Sequence, residues 1–287
     1  MSSHRPVLVA MIAIGLLMGC SSAQSGRPDG GDGGTYVALG DSFVSGPGID
    51  DQDVTSPSCF RSNHNYASLV AQSHSQQKFV DVSCGGATTD TVSGPRTMED
   101  GVTIGPQLDA VTTATQLVTI GVGANDAGAT AGLFTYCLLP ATATDAMCQE
   151  FASTYMPTVY DASRDRVSAI VEKVRAKAPK ARIVLVGYLR IVPEEGQCAT
   201  LPLTETRRAA AFMVESSLNS MLRDAAARSD VDFVDVRGAS RGHDVCAGRD
   251  AWVNGIANVP GDGAYLHPNG AGMDNVADVV LGVLADR

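Results

Sequence analysis

Two hydropathy patterns alternate along the chain. Short, nearly unbroken apolar runs at residues 36–39, 79–82, 117–121, 182–186 and 231–236 read as β-strands. Between them lie stretches with helical apolar spacing, at 66–73, 158–178, 207–228 and 273–285. In the 158–178 segment, Val159, Ala162, Val167, Ile170, Val171 and Val174 share one face. Strands apolar on both sides, separated by helices, belong to a parallel sheet covered on both faces. The expected fold is therefore α/β, a three-layer α/β/α sandwich with a mostly parallel central sheet. No repeat of 20–50 residues interrupts this order.

The first segment departs from the pattern. Arg5 precedes an apolar run at 7–18, the length of a signal-peptide core and too short to cross a bilayer with ease. Leu17-Met18-Gly19-Cys20 closes it and resembles the bacterial lipobox, whose cysteine is lipidated and becomes the first residue. Residues 21–34 (SSAQSGRPDGGDGG) lack apolar periodicity and read as a flexible tether. The expected organisation is a lipoprotein signal peptide over 1–19, a tether over 20–34 beginning at lipidated Cys20, and one domain over 35–287. An ordinary secretory signal or an uncleaved anchor is the alternative. The protein is expected to be exported and held at the extracytoplasmic face of the cell membrane, or secreted.

Composition narrows the function. At 287 residues and 44% hydrophobic content, the chain is long enough to bury one large core. A net charge of −10 argues against a nucleic-acid partner, which would require a basic face. Beyond Cys20 there are six cysteines: Cys59, Cys84, Cys137, Cys148, Cys198 and Cys246. An even number in an exported chain points to three disulfides, although composition alone leaves the pairing open. None forms a CxxC pair, and no metal and no cofactor is expected.

Ligands of parallel sheets sit beyond the carboxyl ends of the strands. Three of those ends carry distinctive residues: Gly40-Asp41-Ser42, Ser83-Cys84-Gly85-Gly86-Ala87-Thr88-Thr89, and Gly121-Val122-Gly123-Ala124-Asn125-Asp126. Tyr265-Leu266-His267-Pro268-Asn269 precedes the last helix. A serine, a histidine, an asparagine and a glycine-rich turn on one rim suit acyl transfer. Serine is a poor nucleophile until a histidine takes its proton. Attack on an ester carbonyl places negative charge on oxygen, which fixed N–H donors stabilise. The N–H groups of Ser42 and Gly86 and the side-chain amide of Asn125 are the candidate donors. Asp41 and Asp126 are expected to brace their turns through backbone N–H groups.

These blocks, in this order, resemble the SGNH, or GDSL-type, hydrolases across about residues 35–287. Gly40-Asp41-Ser42 is similar to the first block of that family, Gly86 to the second, Gly123-Ala124-Asn125-Asp126 to the third and His267 to the last. The contexts Cys59-Phe60-Arg61-Ser62, Cys84-Gly85-Gly86-Ala87-Thr88, Pro106-Gln107-Leu108 and His267-Pro268-Asn269 resemble secreted actinomycete lipases and esterases of the family. The resemblance implies a flavodoxin-like fold, Ser42 as nucleophile, His267 as base, and Ser42, Gly86 and Asn125 as the oxyanion hole. It also implies disulfides Cys59–Cys84, Cys137–Cys148 and Cys198–Cys246. The absence of any GxSxG elbow disfavours an α/β-hydrolase.

One position departs from the family. An aspartate usually stands three residues before the histidine, and Ala264 occupies that place. Asp262 is too early and Asp274 lies in the next helix, so the Ala264 carbonyl is expected to orient His267, giving a Ser–His dyad. The expected activity is that of a serine esterase or lipase, acting as a monomer on a small-molecule or lipid ester and attached to the membrane by its N-terminal lipid. Removal of O-acetyl groups from an envelope polysaccharide is an alternative. A non-catalytic binding lipoprotein is the other, and a binder has no need of Ser42, Gly86, Asn125 and His267 together.

Overall fold

The computed structural model of the protein describes Met1 and residues 34–73, 78–139 and 143–286. Apart from Met1, the expected signal peptide, Cys20 and the tether as far as residue 33 lie outside the described residues.

Five parallel strands form the central sheet: β1 (Thr35–Gly40), β2 (Lys78–Asp81), β3 (Thr115–Gly121), β4 (Arg182–Val186) and β5 (Asp232–Val234). Their order is β2-β1-β3-β4-β5, with Val37 beside Val80 and Val118, Val118 beside Ile183, and Leu185 beside Phe233. This is the flavodoxin-like order, and its topological switch point falls between β1 and β3. Helices α1 (Ser42–Ser45), α2 (Tyr66–Ser73), α3 (Thr89–Ser93), α4 (Ala129–Leu133), α5 (Asp145–Glu150), α6 (Met156–Lys177), α7 (Glu205–Arg228), α8 (Val236–Ala239) and α9 (Gly270–Ala285) complete the fold. α2 packs with α9, while α6 packs with α7 and α3, so helices cover both faces of the sheet. The α/β sandwich anticipated from the sequence is the observed one.

Element boundaries differ where capping intervenes. β5 stops at Val234 because Asp235 accepts from Gly238 N–H and starts α8. α9 begins three residues before the apolar spacing suggests, since Asn269 Oδ1 accepts from Gly272 N–H at 2.8 Å. Of the expected α6 face, Val159, Val167, Ile170, Val171 and Val174 are buried, but Ala162 is exposed. The apolar spacing did not reveal the hairpin pairing Arg96–Thr97 with Thr103–Ile104, nor the π-helical turns at Phe134–Leu138 and Phe151–Tyr155.

Cys59–Cys84, Cys137–Cys148 and Cys198–Cys246 are the three disulfides. Cys198–Cys246 spans 48 residues, and in the chain-entropy account such a closure stabilises by about 4 kcal/mol.

Candidate active site

Each of the four expected residues stands on the carboxyl rim of the sheet or faces it. β1 ends at Gly40, whose backbone N–H and C=O are both held by the buried Gln107 side chain, at 2.8 and 2.9 Å. Cys84 N–H adds a second bond to the Gly40 carbonyl, so the strand tip is fixed from two sides. Asp41 caps α1 through Phe43 N–H at 3.0 Å, which presents Ser42 as the first residue of the helix.

Asp41 is fully buried, and its second oxygen accepts from the Tyr188 hydroxyl at 2.6 Å. Tyr188 in turn accepts from Ala124 N–H at 3.2 Å, next to Asn125. Its own backbone N–H donates to Asn219 Oδ1 on α7. One phenol thus ties the turn after β1 to the turn after β3 across the switch point. Burial pushes the Asp41 carboxyl up to about 7, against the opposing pull of the Tyr188 and Phe43 hydrogen bonds.

Ser42 Oγ and His267 Nε2 lie 2.9 Å apart, although 225 residues separate them in sequence. His267 Nδ1 lies 2.8 Å from the carbonyl oxygen of Tyr265. A carbonyl can only accept, so Nδ1 carries the proton and Nε2 presents its lone pair to the serine hydroxyl. The ring packs between Phe43, at 5.2 Å, and Phe134, at 6.3 Å. That burial holds its pKa below the ordinary histidine value, with the Tyr265 carbonyl pulling the other way.

The Ala264 carbonyl is not the group on the imidazole. It faces Asn254 Nδ2 at 3.4 Å, while the Ala264 N–H donates to Pro47. Buried Leu266 has a positive φ of 54°, and this tight turn brings the carbonyl of residue 265, not 264, onto the His267 ring. No carboxylate among the described residues bonds to His267. Asp262 Oδ1 instead accepts from Gly270 N–H at 2.8 Å, and Asp274 is an exposed residue of α9.

Gly86 has φ 71°, open to glycine and costly for other residues. Arg96, on the hairpin, donates from Nη1 to the Gly85 carbonyl at 2.7 Å. Because the Gly85–Gly86 peptide is planar and trans, holding its oxygen on one side aims the Gly86 N–H to the other. Neither the Gly86 nor the Ser42 backbone N–H has a hydrogen-bond acceptor among the described residues. Asn125 Nδ2 donates to the Ala87 carbonyl at 3.1 Å, which fixes the amide and leaves its second hydrogen. Asp126 braces the same turns as expected, accepting from Thr89 N–H and Oγ1–H at 2.8 and 2.7 Å.

Tyr188, Gln107, Arg96 and the Tyr265 carbonyl were not anticipated in these positions. Tyr188 carried a usable signal: it follows Gly187 just beyond β4, the rim position equivalent to those of Ser42 and Asn125.

Residues 38–274 match the model of the GDSL-like lipase/acylhydrolase family. Lipase 1 of Streptomyces coelicolor is 33% identical over 258 residues, covering 90% of this chain and 88% of that protein. The crystal structure of phospholipase A1 from Streptomyces albidoflavus superposes with a TM-score of 0.75 and 32% identity, over 87% of this chain and 99% of that one. The extracellular lipase of Streptomyces rimosus gives 0.74 and 30%, with the same coverage. The strand order, the rim geometry and these relatives agree: the chain belongs to the GDSL-like lipase/acylhydrolase family and is a carboxylic ester hydrolase.

Proposed function

We propose that the protein hydrolyses lipid acyl esters through a covalent intermediate on Ser42. The observation that carries this reading is the 2.9 Å contact between Ser42 Oγ and a His267 Nε2 whose tautomer is set by the Tyr265 carbonyl. Ser42 Oγ attacks the ester carbonyl carbon while its proton passes to His267 Nε2. The carbonyl electron pair moves onto oxygen, facing the N–H groups of Ser42 and Gly86 and the free amide hydrogen of Asn125. Collapse breaks the ester C–O bond, and the leaving alcohol takes the proton from Nε2. Water then repeats both steps and releases the carboxylic acid.

A phosphonate ester tests the nucleophile directly. Incubation should stop turnover and add one phosphonyl group to the peptide bearing Ser42. Adduct on another residue, with turnover lost, overturns the assignment.

In the same reading, domain 35–287 is a monomer carried outside the cell on tether 20–34, with residues 1–19 removed and Cys20 lipidated. The S. rimosus relative is described as extracellular, which supports export. Among the described residues no helix is long and apolar enough to cross a membrane. In a bacterial host the wild type should sediment with membranes and Cys20→Ser should release it. Wild type found wholly soluble in the medium, with its N-terminus elsewhere, removes the anchor.

A further inference from the structure

The ladder between β1 and β3 ends where the site begins. Gly40 pairs with Gly121, and the Asp41 N–H donates to the Gly121 carbonyl at 3.0 Å. Among the described residues that is the last main-chain bond between the turn carrying Ser42 and the turn carrying Asn125. Beyond it, the two turns share the hydrogen bonds of one side chain, Tyr188, from the rim past β4.

The Tyr188 hydroxyl stands at a branch point. It donates to Asp41 Oδ2 at 2.6 Å and accepts from Ala124 N–H at 3.2 Å, and all three residues are buried. Asp41 Oδ1 is occupied by Phe43 N–H, and no second hydrogen bond reaches Oδ2 among the described residues. A buried carboxyl oxygen has no solvent to replace such a partner, so the phenol fixes the residue before Ser42. On the other turn, the Ala124 carbonyl accepts from Thr130 N–H at 3.0 Å and from Thr130 Oγ1–H at 2.7 Å. With its own N–H on the phenol, Ala124 is held at both flanking peptides, and Asn125 leaves it in a fixed direction.

The phenol is itself anchored. Tyr188 N–H donates to Asn219 Oδ1 on α7 at 2.9 Å, and Gly187 N–H donates to the Val234 carbonyl of β5. A Cβ at Gly187 would fall 2.6 Å from Asn219 Oδ1, so glycine permits this close approach. The Tyr188 ring meets Phe43 edge-on at 5.1 Å, on the residue that separates Ser42 from the His267 ring.

We propose that Tyr188 is a positioning residue of the oxyanion hole: its hydroxyl, shared between Asp41 and Ala124, sets the spacing of the Ser42 N–H and the Asn125 amide. The proposal rests on the Ser42 reading above. Tyr188 makes no hydrogen bond to Ser42, Asn125 or His267 among the described residues, so it acts through their neighbours. Oxyanion donors work at about 2.7–3.1 Å from an oxygen that becomes charged only as the transition state forms. Their spacing therefore governs turnover more than substrate binding. Attack by Ser42 and the later attack by water both pass through such an oxygen. Misplaced donors slow both steps together and leave KM nearly constant.

Tyr188→Phe tests this, because it keeps the ring and deletes only the shared hydroxyl. Tyr160→Phe is the control: that buried hydroxyl donates to the Val214 carbonyl at 2.8 Å and bonds to neither turn. Turnover is counted per active site, titrated to completion with the phosphonate ester, so unfolded protein does not enter. Tyr188→Phe should lower kcat about 10- to 100-fold, with KM within about threefold of wild type. Inhibition by an alkyl trifluoromethyl ketone should weaken by a similar factor. Ser42 Oγ adds to that ketone while its proton passes to His267, and the product holds an oxyanion in the hole. Tyr160→Phe should lower the melting temperature and leave kcat near wild type. If Tyr188→Phe does not fold, Asp41→Asn carries the test, since asparagine still accepts from Phe43 N–H but turns an amide to the phenol. It should show the same loss in kcat at constant KM. A wild-type kcat in the folded variant, a loss matched by Tyr160→Phe, or a loss carried by KM overturns the proposal. Any of these with phosphonate on Ser42 removes the role of Tyr188 alone, whereas phosphonate on another residue removes the Ser42 reading and this proposal with it.

Discussion

Ser42→Ala is expected to lower kcat for acyl esters about 10³-fold or more, with the fold and melting temperature little changed. The physical case rests on what surrounds the hydroxyl. Ser42 Oγ is the group hydrogen-bonded to His267 Nε2, and alanine removes the atom that would carry the acyl group. Asp41, Phe43 and Gln107 hold the turn through backbone and carboxylate contacts that do not involve Oγ, so the helix start survives the change. Substrate binding should persist, because the change leaves the Ser42 and Gly86 N–H groups and the Asn125 amide in place. The loss therefore belongs in kcat with KM nearly constant. A variant that keeps more than a tenth of the wild-type rate refutes Ser42 as nucleophile. A rise in KM and a fall in kcat, together with a lowered melting point, would instead mark a structural serine.

How much of this was legible in the chain depends on whether side chains or main chain do the work. Ser42, Gly86, Asn125 and His267 each stand after a strand or before a helix, where a polar residue interrupts an apolar pattern, and their positions can be read. The parallel sheet follows from the alternation of elements, but the strand order does not, because the crossover from β2 to β3 passes over β1. Main-chain roles leave weaker marks. Whether the carbonyl of residue 264 or 265 meets His267 depends on the φ of Leu266, and a buried leucine gives no sign of a left-handed turn. Arg96 acts through the Gly85 carbonyl from a hairpin of two-residue strands, too short for period-two patterning to register. Tyr188 stands at a rim position that can be read, but the partner of its hydroxyl, the fully buried Asp41, shows only in the structure. The π-helical turn Phe134–Leu138 shows its role only when Phe134 is seen against His267.

His267→Ala should be as damaging as Ser42→Ala, about 10³-fold or more in kcat, because no other base reaches Ser42 Oγ among the described residues. The informative contrast is with the nearby carboxylates. Replacing a triad aspartate by asparagine can cost about 10⁴-fold by trapping the wrong tautomer. Here the Tyr265 carbonyl holds Nδ1, and asparagine at 262 keeps an oxygen for Gly270 N–H. Asp262→Asn and Asp274→Asn should therefore stay within about tenfold of wild type. The pH profile supplies an independent readout. Ser42 can pass its proton only to a neutral imidazole, so kcat/KM should fall as acid protonates His267. Burial depresses that pKa, which places the acid limb below the ordinary histidine value. Neither asparagine variant should move the limb, since neither carboxylate touches the ring. A loss at Asp262 or Asp274 comparable to that of His267→Ala, or an acid limb shifted by either change, would establish a triad carboxylate and refute the dyad.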